Sequence, residues 1–289
     1  MKSASIVILT FNREKVIGRT LKAMLEQNYP EYEIIIINDA SKDNTKKVLE
    51  KFSNMKKITV INNEKEKGPC AARNQGIKFA KNDLIIVMDD DCIPEKNWLK
   101  TMIKGFDSDK VGMVSGYSIH GGTSTAFSRK ALDKTGLYDE KYFYYREDTD
   151  LVFRIMDAGF EIKQVNAKYF HDHKIEKPES LTAFLSHAWK RLKNHKNDVL
   201  LYKKNPSRTK KFLDIKLGFI VNPVNDFKAA TGLWHKGGKI NLSSPRGIIF
   251  LENRSLFHYL IIVLGGIFYV IAVKAARFYG SIKFGKLLV

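Results

Sequence analysis

The sequence predicts an α/β fold, a mostly parallel central sheet flanked by helices, followed by a C-terminal helical extension that associates with a membrane. Three observations carry that expectation. Over the first half, short β-branched runs alternate with amphipathic stretches, the order a helix-covered parallel sheet requires. Those runs repeatedly end in polar residues, which delivers chemistry to one rim of the sheet. Towards the other end, LFHYLIIVLGGIFYVIAV (256–273) holds 18 positions without Asp, Glu, Lys or Arg.

SIVILT (5–10) is the first strand, ending polar at Thr10 and Asn12. A helix over 14–27 follows, with Ile17, Leu21, Met24 and Leu25 on one face, and Tyr29-Pro30 ends it. YEIIIIND (32–39) is a strand continuous in Ile and therefore buried on both faces. ASKDNTKKVLEKF opens a second helix with Val48, Leu49 and Phe52 inward. ITVINN (58–63) is the third strand, GPCAARNQGIKFA (68–80) a loop and helix, and LIIVM (84–88) the fourth strand. Further on, 111–119 reads as a strand and 123–132 as a strand leading into a short helix. REDTDLVFRIMDAGF (146–160) is a helix with Leu151, Val152, Ile155 and Met156 on one face and Gly159 as its stop. Glu147 and Asp148 fall in its first turn, where acids also simply complement the helix dipole.

Composition narrows the class. With 44% hydrophobic and 28% charged residues, the 289-residue chain is globular rather than disordered. Two cysteines, Cys70 and Cys92, make no disulfide framework, and the N-terminus enters a strand without signal-peptide character, so a cytoplasmic setting is expected. The net charge of +18 is uneven. Residues 181–289 hold 19 Lys and Arg against 4 Asp and Glu, a balance of +15, while the rest hold 30 against 27. Such an excess seeks an anionic partner, either nucleic acid or membrane. The apolar run beside Lys274, Arg277, Lys283 and Lys286 selects the membrane and excludes nucleic acid. No Walker loop and no G-x-G-x-x-G after the first strand is present, which weakens nucleotide-hydrolysing and dinucleotide-binding readings.

One stretch stands out chemically. IVMDDDCIP (86–94) ends a buried strand in Asp89, Asp90 and Asp91, whose mutual repulsion costs free energy unless a cation or a ring of donors sits among them. An acidic turn is the plain alternative. SIVILTFNRE, IIIINDASKDNT, KGPCAARNQGIKFAKNDLIIVMDDDC, STAFSRKALDKTGLYDE and REDTDLVFRIMDAGFEI together resemble, in order, the blocks of glycosyltransferase family 2. The resemblance covers residues 4–195 and implies the GT-A fold, a nucleotide-activated sugar donor and inversion at the anomeric centre. Carried over by position, it makes Asp39 the base-binding carboxylate, able to accept the imide N–H of uracil or thymine. It puts Thr10, Asn12 and Arg73 in the nucleotide pocket, with Asp89 and Asp90 on the donor side. Asp89 and Asp91 fit the D-x-D pattern that holds Mn2+ or Mg2+ on the donor diphosphate, joined by His171, for which His173 could substitute. Asp148 matches the general base.

The sequence departs from the family pattern in two places. Asn38-Asp39 replaces an Asp-Asp pair, and the Q-x-x-R-W motif of processive synthases is absent, HAWKRL (187–192) having Trp and Arg in another order. Transfer of one sugar per encounter is therefore expected. The reading that follows is a metal-dependent inverting glycosyltransferase using a UDP-sugar by preference and a lipid-linked or surface-glycan acceptor. It would be membrane-associated with its catalytic domain in the cytoplasm. The expected division is a catalytic domain at 1–195, a basic interfacial linker at 196–255, and a hydrophobic segment with basic tail at 256–289. Two alternatives stay open: a nucleotidyltransferase making nucleotide-sugars, although TFNREKVIG lacks its Gly-rich triphosphate loop, and an inactive membrane scaffold, against which Asp39, Asp91 and Asp148 argue.

Overall fold

The computed structural model describes residues 2–172, 180–216, 219–220, 240–244, 247–251 and 256–289. The chain divides into two compact units, Met1–Asp172 and His173–Val289. In the first, strands β1 (Ala4–Thr10), β2 (Tyr32–Asn38), β3 (Ile58–Asn62) and β4 (Leu84–Asp89) run parallel. With β6 (Val111–Ser115), β7 (Thr125–Ser128) and β8 (Glu161–Gln164) they form a seven-stranded sheet in the order β3-β2-β1-β4-β7-β6-β8. Only β7 opposes its neighbours, antiparallel to β4 and β6. Outside the sheet, β5 (Cys92–Pro94) pairs antiparallel with β9 (Tyr169–His171).

Helices α1 (Ile17–Leu25), α2 (Thr45–Glu50), α3 (Pro69–Phe79), α4 (Trp98–Lys104), α5 (Arg129–Thr135) and α6 (Glu147–Asp157) accompany the sheet. The run Ile34–Ile37 is fully buried, as a central strand covered on both faces must be. Helix α3 approaches β1 so closely that a Cβ on Gly76 would lie 2.4 Å from Val7 Cγ1. Gly76→Ala is expected to overpack this contact and lower stability by about 1–3 kcal/mol in denaturant unfolding.

Three expectations change in detail. The first helix starts at Ile17 rather than 14, because Asn12 takes a left-handed φ of 55°. The residues after it are stitched to the loop after β2: Arg13 N donates to Thr45 Oγ1 at 2.7 Å and Glu14 Oε2 accepts from Asn44 N at 2.8 Å. The strand expected to run to 119 stops at Ser115, whose hydroxyl accepts from Tyr117 N and Ser118 N, both at 3.0 Å, and turns the chain. In α6, Met156 is exposed and Phe153 is buried with Leu151, Val152 and Ile155.

In the second unit, α7 (Leu181–Lys193), α8 (Lys196–Lys204) and α9 (Pro206–Phe212) precede two short antiparallel strand pairs, β10 (Ile215–Lys216) with β11 (Phe219–Ile220) and β12 (Ile240–Ser244) with β13 (Gly247–Leu251). Helix α10 (Leu256–Phe284) closes the chain. It does not end with the uncharged run at 273, and its segment Val263–Phe284 is long and apolar enough to cross a membrane.

Candidate active site

Strands β1, β2 and β4 end on one rim with Thr10, Asn38-Asp39 and Asp89, and α3 starts beside them. Thr10 is buried, and its carbonyl accepts from Asp39 N at 3.0 Å. The Asp39 carboxylate, itself buried, accepts from Gly68 N at 2.9 Å, Lys67 N at 3.0 Å and Asn63 Nδ2 at 2.8 Å. It is thereby fixed at the N-terminus of α3, where backbone N–H groups favour an anion. Exposed Asn12 accepts from Lys42 N at 2.7 Å, bridging the loops that follow β1 and β2.

The triple aspartate separates its members. Asp90 is buried, its carboxylate 3.2 Å from Arg13 Nε, and its carbonyl accepts from Thr20 Oγ1 at 2.8 Å. Burial pushes its pKa up to about 7 against the pull of Arg13. Asp89 and Asp91 flank it, and the β5–β9 pairing sets His171 opposite Cys92, with Asp172 N donating to Asp91 O at 2.7 Å. His171 Nε2 lies 3.1 Å from Asp91 Oδ1. Asp89, Asp91, Cys92 and His171 each offer an atom within 4.8 Å of the others.

These residues fit a hard divalent cation. Burial drives the Cys92 thiol above its ordinary pKa, and a soft sulfur suits a hard cation poorly. Two carboxylates and an imidazole remain, a donor set that suits Mn2+ or Mg2+. Arg13 Nη2, 3.8 Å from Asp91, supplies further positive charge. His173 lies outside the described residues.

Arg73, on α3, joins this group to the start of α6. Its guanidinium lies 3.8 Å from Asp89 Oδ1 and 3.3 Å from Glu147 Oε1, with the Tyr138 ring 5.7 Å away. Asp148 stands next in the chain, partly buried. Loss of water raises its pKa; Arg73 opposes and Asp89 adds to the rise. Burial and the neighbouring Asp148 push Glu147 up to about 7. Arg73 thus sits among three carboxylates and keeps them from repelling one another apart.

Several contributors had little signal in the sequence. Gly121, at φ +86°, lies against Asp148, and an added Cβ would come within 2.8 Å of Asp148 Cβ. Gly121→Ala is expected to lose at least about 1 kcal/mol of stability and to displace Asp148, cutting turnover more than donor affinity in steady-state assays. Phe143, Tyr145 and Arg146 all take left-handed φ (60°, 76° and 77°) as the chain enters α6. Non-glycine residues there cost on the order of 1 kcal/mol each and cluster where geometry serves chemistry. The only textual hint of Gly121 was the Gly121-Gly122 pair before β7.

The family model for glycosyl transferase family 2 matches residues 5–172, more than half of the chain. The protein is a family 2 glycosyltransferase. Among its curated relatives, glycosyltransferase AglE of Haloferax volcanii is 29% identical over 115 residues, 39% of this chain and 38% of the relative. The probable glycosyltransferase YdaM of Bacillus subtilis is 29% identical over 206 residues, 56% and 49% of the two chains. Poly-β-1,6-N-acetyl-D-glucosamine synthase of Staphylococcus epidermidis is 32% identical over 117 residues, 40% and 28%. The matches therefore span less than half the length of each of these relatives. In fold, the chain is similar to the mannosyltransferase PcManGT of Pyrobaculum calidifontis, solved with GDP-Man and Mn2+, with a TM-score of 0.62 at 15% identity over 96% of this chain and 87% of that one. It is also similar to residues 1–349 of TarS from S. aureus solved with UDP-GlcNAc, with a TM-score of 0.52 at 15% identity over 98% and 92%. The GT-A architecture of this family 2 glycosyltransferase agrees with both.

Proposed function

We propose that this glycosyltransferase moves one sugar from a nucleotide-sugar, a UDP-sugar by preference, to a lipid-linked or surface-glycan acceptor with inversion. The observation that carries the reading is Arg73, which links the Asp89–Asp91–His171 group to the Glu147–Asp148 pair at 3.8 and 3.3 Å. A donor held between the two groups would have its diphosphate at the first and its opposite face open to an acceptor deprotonated at the second, as one inverting displacement requires.

Asp39, held at the head of α3, accepts the base imide N–H, and Thr10 and Asn12 line the same rim. Asp89, Asp91 and His171 would hold Mn2+ or Mg2+, which stabilises the charge that develops on the departing diphosphate. Asp90 acts on the donor side through Arg13, whose guanidinium it fixes 3.2 Å away. Asp148 takes the proton from the acceptor hydroxyl, and its raised pKa makes it a stronger base than an ordinary carboxylate. Gly121 keeps its side chain in place by close contact. The chain works at a membrane, with the catalytic unit in the cytoplasm; the apolar α10 and the basic balance of 181–289 support this.

A thermal-shift screen of UDP-, dTDP- and GDP-sugars with Mn2+ tests the donor assignment. A UDP-sugar is expected to raise Tm most, since stabilisation follows ligand affinity. No shift with any of the three would sink the nucleotide-sugar reading.

A further inference from the structure

Helix α10 has two dissimilar faces. Leu260, Leu264, Ile267, Phe268, Ile271, Phe278, Tyr279 and Ile282 are all exposed, between 45% and 70%. At 3.6 residues per turn they fall within an arc of about 120°. Lys274 and Lys283 border that arc on either side. The opposite face is engaged within the protein: Val273 and Tyr269 pack with Leu192 of α7, and Phe284 packs with Val199 and Tyr202 of α8. Arg277, almost fully buried, places Nε 3.1 Å from Asp198 Oδ2 on α8, and His195 Nδ1 lies 3.2 Å from the same oxygen. Gly280 packs so close to α8 that a Cβ there would be 2.7 Å from Lys196 O.

We infer that α10 lies in the plane of an anionic membrane surface, with its exposed apolar face in the lipid, and does not cross the bilayer. This rests on the membrane attachment proposed above. Length alone permits crossing, so the α8 contact decides. Crossing by Val263–Phe284, the segment long and apolar enough to do so, would either carry α8, with Lys196, Lys203 and Lys204, into hydrocarbon or tear the Arg277–Asp198 pair apart. Lying flat keeps both intact and covers the apolar arc. The lipid is anionic because lysines crowd beside the stripe: Lys274 and Lys283 border it, and Lys196 lies near both Lys283 and Lys193. Lys203 Nζ donates to Phe284 O at 2.7 Å, holding another positive charge at the end of α10. Charges of one sign beside an apolar stripe match a phospholipid headgroup layer.

The test uses the full chain and vesicles of phosphatidylglycerol with phosphatidylcholine, or phosphatidylcholine alone. Flotation is expected with the first and at least about tenfold weaker with the second. Nitroxides at Leu264→Cys, Ile271→Cys and Ile282→Cys are expected to report one common shallow depth, about 5–10 Å below the headgroups. Native Cys70 and Cys92 are buried and do not compete for the label. The double variant Leu264→Glu/Ile271→Glu is expected to cut flotation about tenfold or more while donor-induced Tm shifts persist. Flotation with Ile271 deepest and the two end labels towards opposite leaflets would overturn the in-plane arrangement and leave membrane attachment standing. A protein that never floats overturns both, and a stable dimer in buffer that never floats assigns the apolar face to a second copy of the chain instead.

Discussion

Asp148→Asn is expected to lower turnover by roughly 10² to 10⁴, the range for a lost general base, while donor affinity stays within a few fold. The amide keeps the shape of the side chain against Gly121 but accepts no proton. Its neighbours make the prediction sharper than sequence position alone. Asp148 is raised by loss of water and by Asp89, so in the wild type the acid limb of the pH–rate profile should lie above the ordinary carboxylate range. The sign follows from the chemistry: the base works only when deprotonated, so activity climbs as pH rises through that raised value. In Asp148→Asn the residual rate should lose this limb. Normal turnover, with the limb unchanged, would return Asp148 to helix-dipole complementation.

Asp91→Ala is expected to abolish measurable Mn2+ binding by calorimetry and to remove most turnover, with the fold retained. Asp91 lies within 4.8 Å of Asp89 and His171 atoms and is paired with Arg13 and His171, so its loss removes a proposed metal ligand and the carboxylate that Arg13 and His171 share. In the wild type, Asp91 raises the His171 pKa through their hydrogen bond. The metal needs the neutral imidazole, so Mn2+ affinity should rise as pH passes upward through a value above about 6.5. The same raised pKa means that the His171–Asp91 pair stabilises the metal-free fold below the unfolded value and loses that contribution as pH rises through the folded one.

Much of the site was legible because it lies at strand ends. The continuous Ile34–Ile37 run marked a central strand, and its position fixed Asp39 beside the following turn. The Asp89–Asp91 cluster followed the same logic at the end of β4. His171 was reachable only by resemblance, since its place depends on β9 pairing with β5 across about 80 residues of sequence. No local pattern encodes such a contact. Arg73 shows the limit most clearly. The family resemblance suggested the nucleotide pocket for it, yet its bridging of Asp89 and Glu147 needs α3, β4 and α6 brought together. The Gly121 approach to Asp148 is of the same kind. For α10, apolar composition was visible, but the exposed arc and the buried Arg277–Asp198 pair were not, because burial of a charge depends on its partner helix.

The most direct test of the central claim, a single displacement driven by Asp148, needs no acceptor. In the presence of Mn2+ and an α-linked UDP-sugar, slow transfer to water can be followed by proton NMR before the released sugar mutarotates. The account predicts that the first sugar formed is the β-anomer, together with free UDP, and that excess chelator stops its formation. A first-formed α-anomer would contradict it, because a single in-line displacement inverts the anomeric centre.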